Sequence, residues 1–215
     1  MIGNVSIDTS LANVWRSWYR FRRGKRRTPE LEHFSYYLEP NLKQLWQELS
    51  WNNYRHGPYE KFIHTDTKRR EISVASIRDR VVHRLLYDYL YLIYDMTFIY
   101  DAWSCRKGKG LLAAIERTEK FLSAYPHSFV WRADVTKFFD SVDRSILKKH
   151  LERKIKDSRA QKLLYEIIDS YSGGTLRERE RERERVKCRA RKVYPSETLR
   201  DKFLPIFTSM NLIVL

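Results

Sequence analysis

Phe129–Leu147 reads FVWRADVTKFFDSVDRSIL. It begins with the mixed apolar and polar alternation of a half-buried β-strand and sets Asp134 near the strand's end. Asp140, Ser141 and Asp143 follow as candidate caps for a helix marked by Ile146, Leu147, His150, Leu151 and Ile155. A carboxylate on a rigid strand end is a place where a metal ion can be held. Taken by itself, an aspartate there is equally a turn residue or a cap.

Outward from this stretch, composition sets bounds. The 215 residues are 42% hydrophobic and 14% aromatic, enough for a packed core, in one large domain or two small ones. Forty-two Lys and Arg against 27 Asp and Glu give a net charge of +15. Such a balance points to a polyanionic partner, nucleic acid before membrane. Cys105 and Cys188 form no CxxC pair, which argues against a disulfide framework or a zinc knuckle. The start, MIGNVSIDTS, has no signal-peptide pattern, and the most apolar stretch, LYDYLYLIYDMTFIY, is interrupted by Asp88 and Asp95. A soluble, cytoplasmic protein is therefore expected.

Towards the N-terminus, Leu11, Val14, Trp15 and Trp18 have helical spacing and run into a basic cluster. Arg22, Arg23, Lys25, Arg26 and Arg27 lie in it, interleaved with Trp18, Tyr19 and Phe21. Cations with stacking aromatics suit single-stranded nucleic acid, whereas a solvated basic loop beside a packed helix gives the same text. Thr28 and Pro29 mark a helix start, and Leu31 to Leu49 reads as two helices broken at Pro40. After the YRHGP turn, EKFIHT and REISVAS alternate like a hairpin with Lys68, Arg69 and Arg70 near its tip. His83, in the helix IRDRVVHRLLYDYLYLIYD, has no second ligand at metal spacing and reads as a packed or surface histidine. DAWSCRKGKGLLAA then brings Arg106, Lys107 and Lys109 to the entrance of a helix over Leu111 to Tyr125, and His150 to Tyr171 is amphipathic helix.

Taken together, DVTKFFDSVD, DRVVHRLL and SCRKGKG, in this order, resemble bacterial reverse transcriptases of retrons, group II introns and diversity-generating retroelements. The resemblance implies an α/β fold of the right-hand polymerase kind, with fingers and an incomplete palm, helix-rich with a small, mainly antiparallel sheet. It divides the chain into an N-terminal helical basic region (1–53), fingers and partial palm (54–172) and a low-complexity tail (173–215). The implied activity is RNA-directed DNA synthesis from deoxynucleoside triphosphates on an RNA template and DNA primer, with an accessory protein as a possible further partner. Asp134 and the carbonyl of Val135 would hold Mg²⁺, Lys68 and Arg70 would meet the triphosphate, and Phe139 would face the sugar. Arg22, Arg23, Lys25, Arg26, Arg27, Arg106, Lys107 and Lys109 would contact nucleic acid. Magnesium's preference for carboxylate and phosphate oxygens agrees with this. The competing reading is a non-catalytic protein that binds RNA or single-stranded DNA.

Beyond Tyr171 the resemblance stops. RERERERERVKCRARK is a charged, low-complexity tract, and the family's later motifs, a GxPxG segment and a tyrosine with paired aspartates, are missing as written. Alternating Arg and Glu can be encoded by a pure AG repeat, on which copying slips. Lys192 to Leu199 can be spelled AAG GTA TAC CCA TCG GAA ACC TTA. Started one base earlier, from a preceding G, the same bases read EGIPIGNL, the missing motif. A frame slip within the tract accounts for the change of character, and the 215-residue chain is then expected to be catalytically inactive. Sequencing the gene across Arg177–Lys192 is expected to show that AG repeat; a tail with no such motif in either other frame removes the slippage reading.

Overall fold

The computed structural model describes residues 5–65, 69–127, 129–132, 142–171 and 191–195. Among them are seven helices: α1 (Leu11–Arg22), α2 (Pro29–Tyr36), α3 (Leu38–Ser50), α4 (Ile77–Tyr94), α5 (Leu111–Ala124), α6 (Arg144–Lys154) and α7 (Ser158–Ser170). The strands are β1 (Glu60–Thr65), β2 (Arg69–Val74), β3 (Phe129–Arg132) and β4 (Arg191–Pro195). The fold is thus helix-rich α/β with small antiparallel sheets, as expected. The chain divides into two compact units, Met1–Tyr94 with Asp143–Gly173, and Asp95–Val142 with Gly174–Leu215.

Local chemistry starts and stops the helices of the first unit. The Ser10 hydroxyl accepts from the Asn13 amide at the head of α1, and Thr28 does the same for Leu31 at the head of α2. Each satisfies one of the amides that a helix start leaves without an intrahelical partner. The break expected at Pro40 falls instead at Tyr37, with Pro40 inside the first turn of α3. A proline is tolerated there because its missing N–H is one the helix would not use. The single helix expected over 150–171 is two: α6 ends before Ile155, and Asp157 caps α7 through the Arg159 amide. Asp143, among the three candidates for the earlier cap, accepts from the amides of Ser145 and Ile146.

The core of this unit is made where α1, α3 and α4 meet. Val14, Trp18, Leu42, Leu45, Val81 and Val82 are fully excluded from solvent there, and Ile155, Leu163 and Leu164 of the α6–α7 segment extend the same cluster. The expected hairpin forms, β1–β2 pairing antiparallel from Glu60↔Val74 to Thr65↔Arg69. All six residues of β1 are exposed, so the hairpin projects from the core and is held at its foot.

In the second unit, α5 follows a loop over residues 95–110, and β3 pairs antiparallel with β4, Val130 opposite Tyr194. β4 begins at the last two residues of the charged tract and lies in the tail where the resemblance has stopped. Main-chain pairing of this kind asks little of the side chains, so an arbitrary extended segment can complete a strand edge. No described helix is long and apolar enough to cross a membrane.

Leu42 on α3 is fully buried in the larger core. Truncation to alanine is expected to cost about 2–5 kcal/mol, the range for emptying a packed leucine site, read as a lower urea midpoint by circular dichroism; an unchanged midpoint would contradict this packing.

Candidate nucleic-acid interface

A hairpin that projects from the core needs a rigid anchor, and the polar residues at its foot provide one. Asp79, fully buried in the first turn of α4, accepts from the Tyr54 hydroxyl at 2.8 Å, the Gly57 amide at 3.1 Å, the Ser76 hydroxyl at 2.8 Å and the Arg78 guanidinium at 3.0 Å. The Ser76 oxygen accepts in turn from the Asp79 amide at 3.2 Å, closing a reciprocal cap. A buried carboxylate is tolerated only when its oxygens are so engaged. Gly57 leaves the required room: a Cβ there would lie 2.9 Å from an Asp79 oxygen. Arg78 also pairs with Glu48 of α3, and Arg55 reaches Glu166 of α7 at 2.9 Å. The segment entering β1 and the one leaving β2 are thereby fixed to α3, α4 and α7.

Beside Asp79 stand two facing imidazoles. His56 Nε2 lies 3.1 Å from His83 Nε2, and His56 Nδ1 lies 2.6 Å from the Gly57 carbonyl. A carbonyl only accepts, so His56 carries its proton on Nδ1, and in the neutral pair His83 donates from Nε2. Burial, reinforced by His56, lowers the His83 pKa to about 4. Burial and then Asp79 push the Tyr54 hydroxyl far above its ordinary range, so it stays a donor. Of the packed and surface readings of His83, the structure gives a part-buried ring, and its partner is another histidine. The sequence signals this foot only through Ser76-x-x-Asp79, which carries the spacing of a helix cap and was passed over among stronger patterns.

The basic residues singled out from the sequence behave differently from one another. Arg22, Arg23, Lys25, Arg26 and Arg27 are all exposed, at and beyond the end of α1. Gly24, in the left-handed region at φ 74°, turns the chain between them. Lys25 lies over the Phe21 ring at 4.8 Å, while Arg22, Arg23, Arg26 and Arg27 form no ion pair among the described residues. Of the interleaved aromatics, Trp18 and Phe21 are buried and only Tyr19 is exposed, so the stacking role expected of all three is open to one.

In the second unit Arg106 closes its own loop. Its guanidinium pairs with Asp95 at 2.8 Å and donates to the carbonyls of Asp95, Ile99 and Ala102. Lys109 sits in an aromatic corner, 3.6 Å from the centre of Tyr100 and 4.1 Å from that of Trp103. Lys107 is exposed. Arg70 lies in β2 opposite His64. Lys68, Asp134, Val135 and Phe139 fall outside the described residues. Among the described residues no three His, Cys, Asp or Glu side chains gather in a way that could hold a metal ion.

No family model matches the chain. Over 129 residues it is 26% identical to the putative COX1/OXI3 intron 2 protein of Saccharomyces cerevisiae, a match covering 59% of this chain and 15% of that protein. The chain thus spans a small part of its relative's length.

The imidazole pair makes stability depend on pH in a definite direction. The unfolded chain binds a proton at His83 near pH 6.5 and the folded one only near pH 4, so stabilisation is complete above about 6.5 and is lost on acidification towards 4. Thermal midpoints are expected to fall between pH 7 and pH 5, and His83→Gln to flatten that fall; equal slopes in the two proteins would exclude the mechanism.

Proposed function

We propose that this chain is the fingers and opening palm of a retroelement RNA-directed DNA polymerase. The observation that carries the reading is the β1–β2 hairpin, which projects from the core on a polar foot built into the helix that bears DRVVH and whose connecting segment holds Lys68 and leads into Arg70. The similarity to a protein named for an intron supports it, as does the order of the elements: hairpin, α4, the loop into α5, then the strand running towards Asp134.

In this reading the guanidinium of Arg70 grips phosphate oxygens as a fork and Lys68 adds a point charge. Asp134 and the Val135 carbonyl offer hard oxygens of the kind Mg²⁺ takes. Magnesium, when bound, neutralises the charge that builds on the transferring phosphoryl group. Phe139 packs against the sugar and leaves no room for a 2′-hydroxyl. The primer 3′-hydroxyl, giving up its proton, attacks the α-phosphorus in line as the α–β phosphoanhydride bond breaks and pyrophosphate leaves, so what these residues contribute is positioning and charge stabilisation. A single carboxylate is half of a two-ion site, which is why the chain as written is read as inactive.

A second reading, RNA binding without synthesis, is favoured by the exposed cations of residues 22–27, which act whatever happens at Asp134. The two separate cleanly. A gene restored to frame across the Arg-Glu tract is expected to extend a DNA primer on RNA, and Asp134→Ala in that protein to lower extension at least about a thousandfold while RNA affinity stays within about twofold. Synthesis by the alanine variant, or none by the restored protein, would refute the polymerase reading.

A further inference from the structure

We infer that the solvent face of α1 is a binding groove for an unpaired polynucleotide strand, with Trp15 and Tyr19 as its stacking surfaces. The inference deepens the nucleic-acid reading above and rests on it. A shallow groove runs along the helix, lined by Ala12, Trp15, Arg16, Tyr19, Arg20 and Arg23. Trp15 and Tyr19 are four residues apart and therefore project from the same face; their ring centres are 6.1 Å apart and their planes tilted by 32°. Tyr19 is 59% exposed, and Trp15 packs one side against the core and turns the other to the groove. Val14, Trp18 and Phe21 of α1 are buried in the core, so two of the helix's aromatics are given to packing, Trp15 is shared between core and groove, and Tyr19 is exposed.

The charge along the groove is of one sign at its open end. Arg20 is tied to Asp88 at 2.7 Å, and Arg16 rests on the Asn13 amide oxygen at 3.3 Å. Arg23, at the end of the groove, has no acidic partner among the described residues, and neither do Arg22, Arg26 and Arg27, its neighbours in sequence on either side of Gly24. Two or three such cations would complement the partial negative charge at the end of a helix. The number gathered here exceeds that need, and one of them, Arg23, lines the same groove as Trp15 and Tyr19. Cations that follow a phosphate backbone beside aromatic faces that receive bases are the two parts of a single-strand site. A duplex hides its base faces and would use only the charges. Stacking does not distinguish ribose from deoxyribose, so the ligand class is an unpaired polynucleotide, RNA or DNA.

The test uses the full 215-residue chain and fluorescence anisotropy with labelled U12, labelled dT12 and a 12-base-pair RNA duplex. Tyr19→Ala is expected to weaken both single strands about tenfold and the duplex less than twofold, while Tyr19→Phe keeps full affinity. Because Trp15 also supports the core, Trp15→Phe rather than alanine is its partner variant, with affinity expected to hold within about threefold. Arg23→Ala is expected to reduce the salt slope for U12 by about 0.7. The ratio of U12 to dT12 affinity then identifies which strand the groove prefers. Equal losses on single strand and duplex, or none with Tyr19→Ala, overturn the groove, as does binding to anionic phosphatidylglycerol vesicles without binding to either oligonucleotide. The readout is binding, so loss of the groove leaves the assignment of Asp134 standing, and loss of polymerisation leaves the groove standing.

Discussion

A carboxylate without contact with solvent is the constraint on which the first unit depends. Left unpaired, Asp79 would destabilise the fold by several kcal/mol; paired as it is, it draws together a tyrosine from one segment, a glycine amide from the next, a serine at a helix head and an arginine that also reaches a third helix. Hydrophobic burial among α1, α3 and α4 supplies most of the driving force but is not directional. The hydrogen bonds of Asp79 are directional, and they decide how the hairpin leaves the core.

The same distinction sorts the basic residues. A net charge of +15 says that cations are plentiful and nothing about which are available. Arg78 and Arg106 are consumed in holding loops, and Lys109 is enclosed by two rings. The arginines at the end of α1 have no such duty in the described residues. Exposed cations without an ion pair among the described residues are therefore found at the end of the N-terminal helix, at Arg22, Arg23, Arg26 and Arg27.

Much of this was legible in the sequence. Alternation in EKFIHT and REISVAS located the hairpin, and Thr28-Pro29 marked a helix start, because both signals are local. Pro40 misled because proline ends a helix from its interior but begins one comfortably, and which applies depends on where the preceding turn falls. The break between α6 and α7 was hidden because amphipathic spacing continues across Ile155, whose burial suits either a helix or the bend. For Trp18 and Phe21 the two readings, packing and stacking, separate only in the structure, which buries both: an aromatic beside arginines looks the same in text whether it points inward or outward. The histidine pair joins residues 27 positions apart and left no periodic trace. Asp134, Val135, Phe139 and Lys68, singled out by the resemblance, lie outside the described residues.

The six-residue strands of the hairpin have a mechanical consequence. At about 3.4 Å per residue each makes an arm of about 20 Å, pivoting where Tyr54, Gly57 and Ser76 grip the same carboxylate. Leverage magnifies whatever happens at that pivot: a tilt of about 6° displaces the far end of the arm by about 2 Å, from the strand rise of about 3.4 Å per residue. The position of the outer end is therefore set by stiffness at the buried one, and a substitution at Gly57, about 20 Å away, would be felt there as a shift.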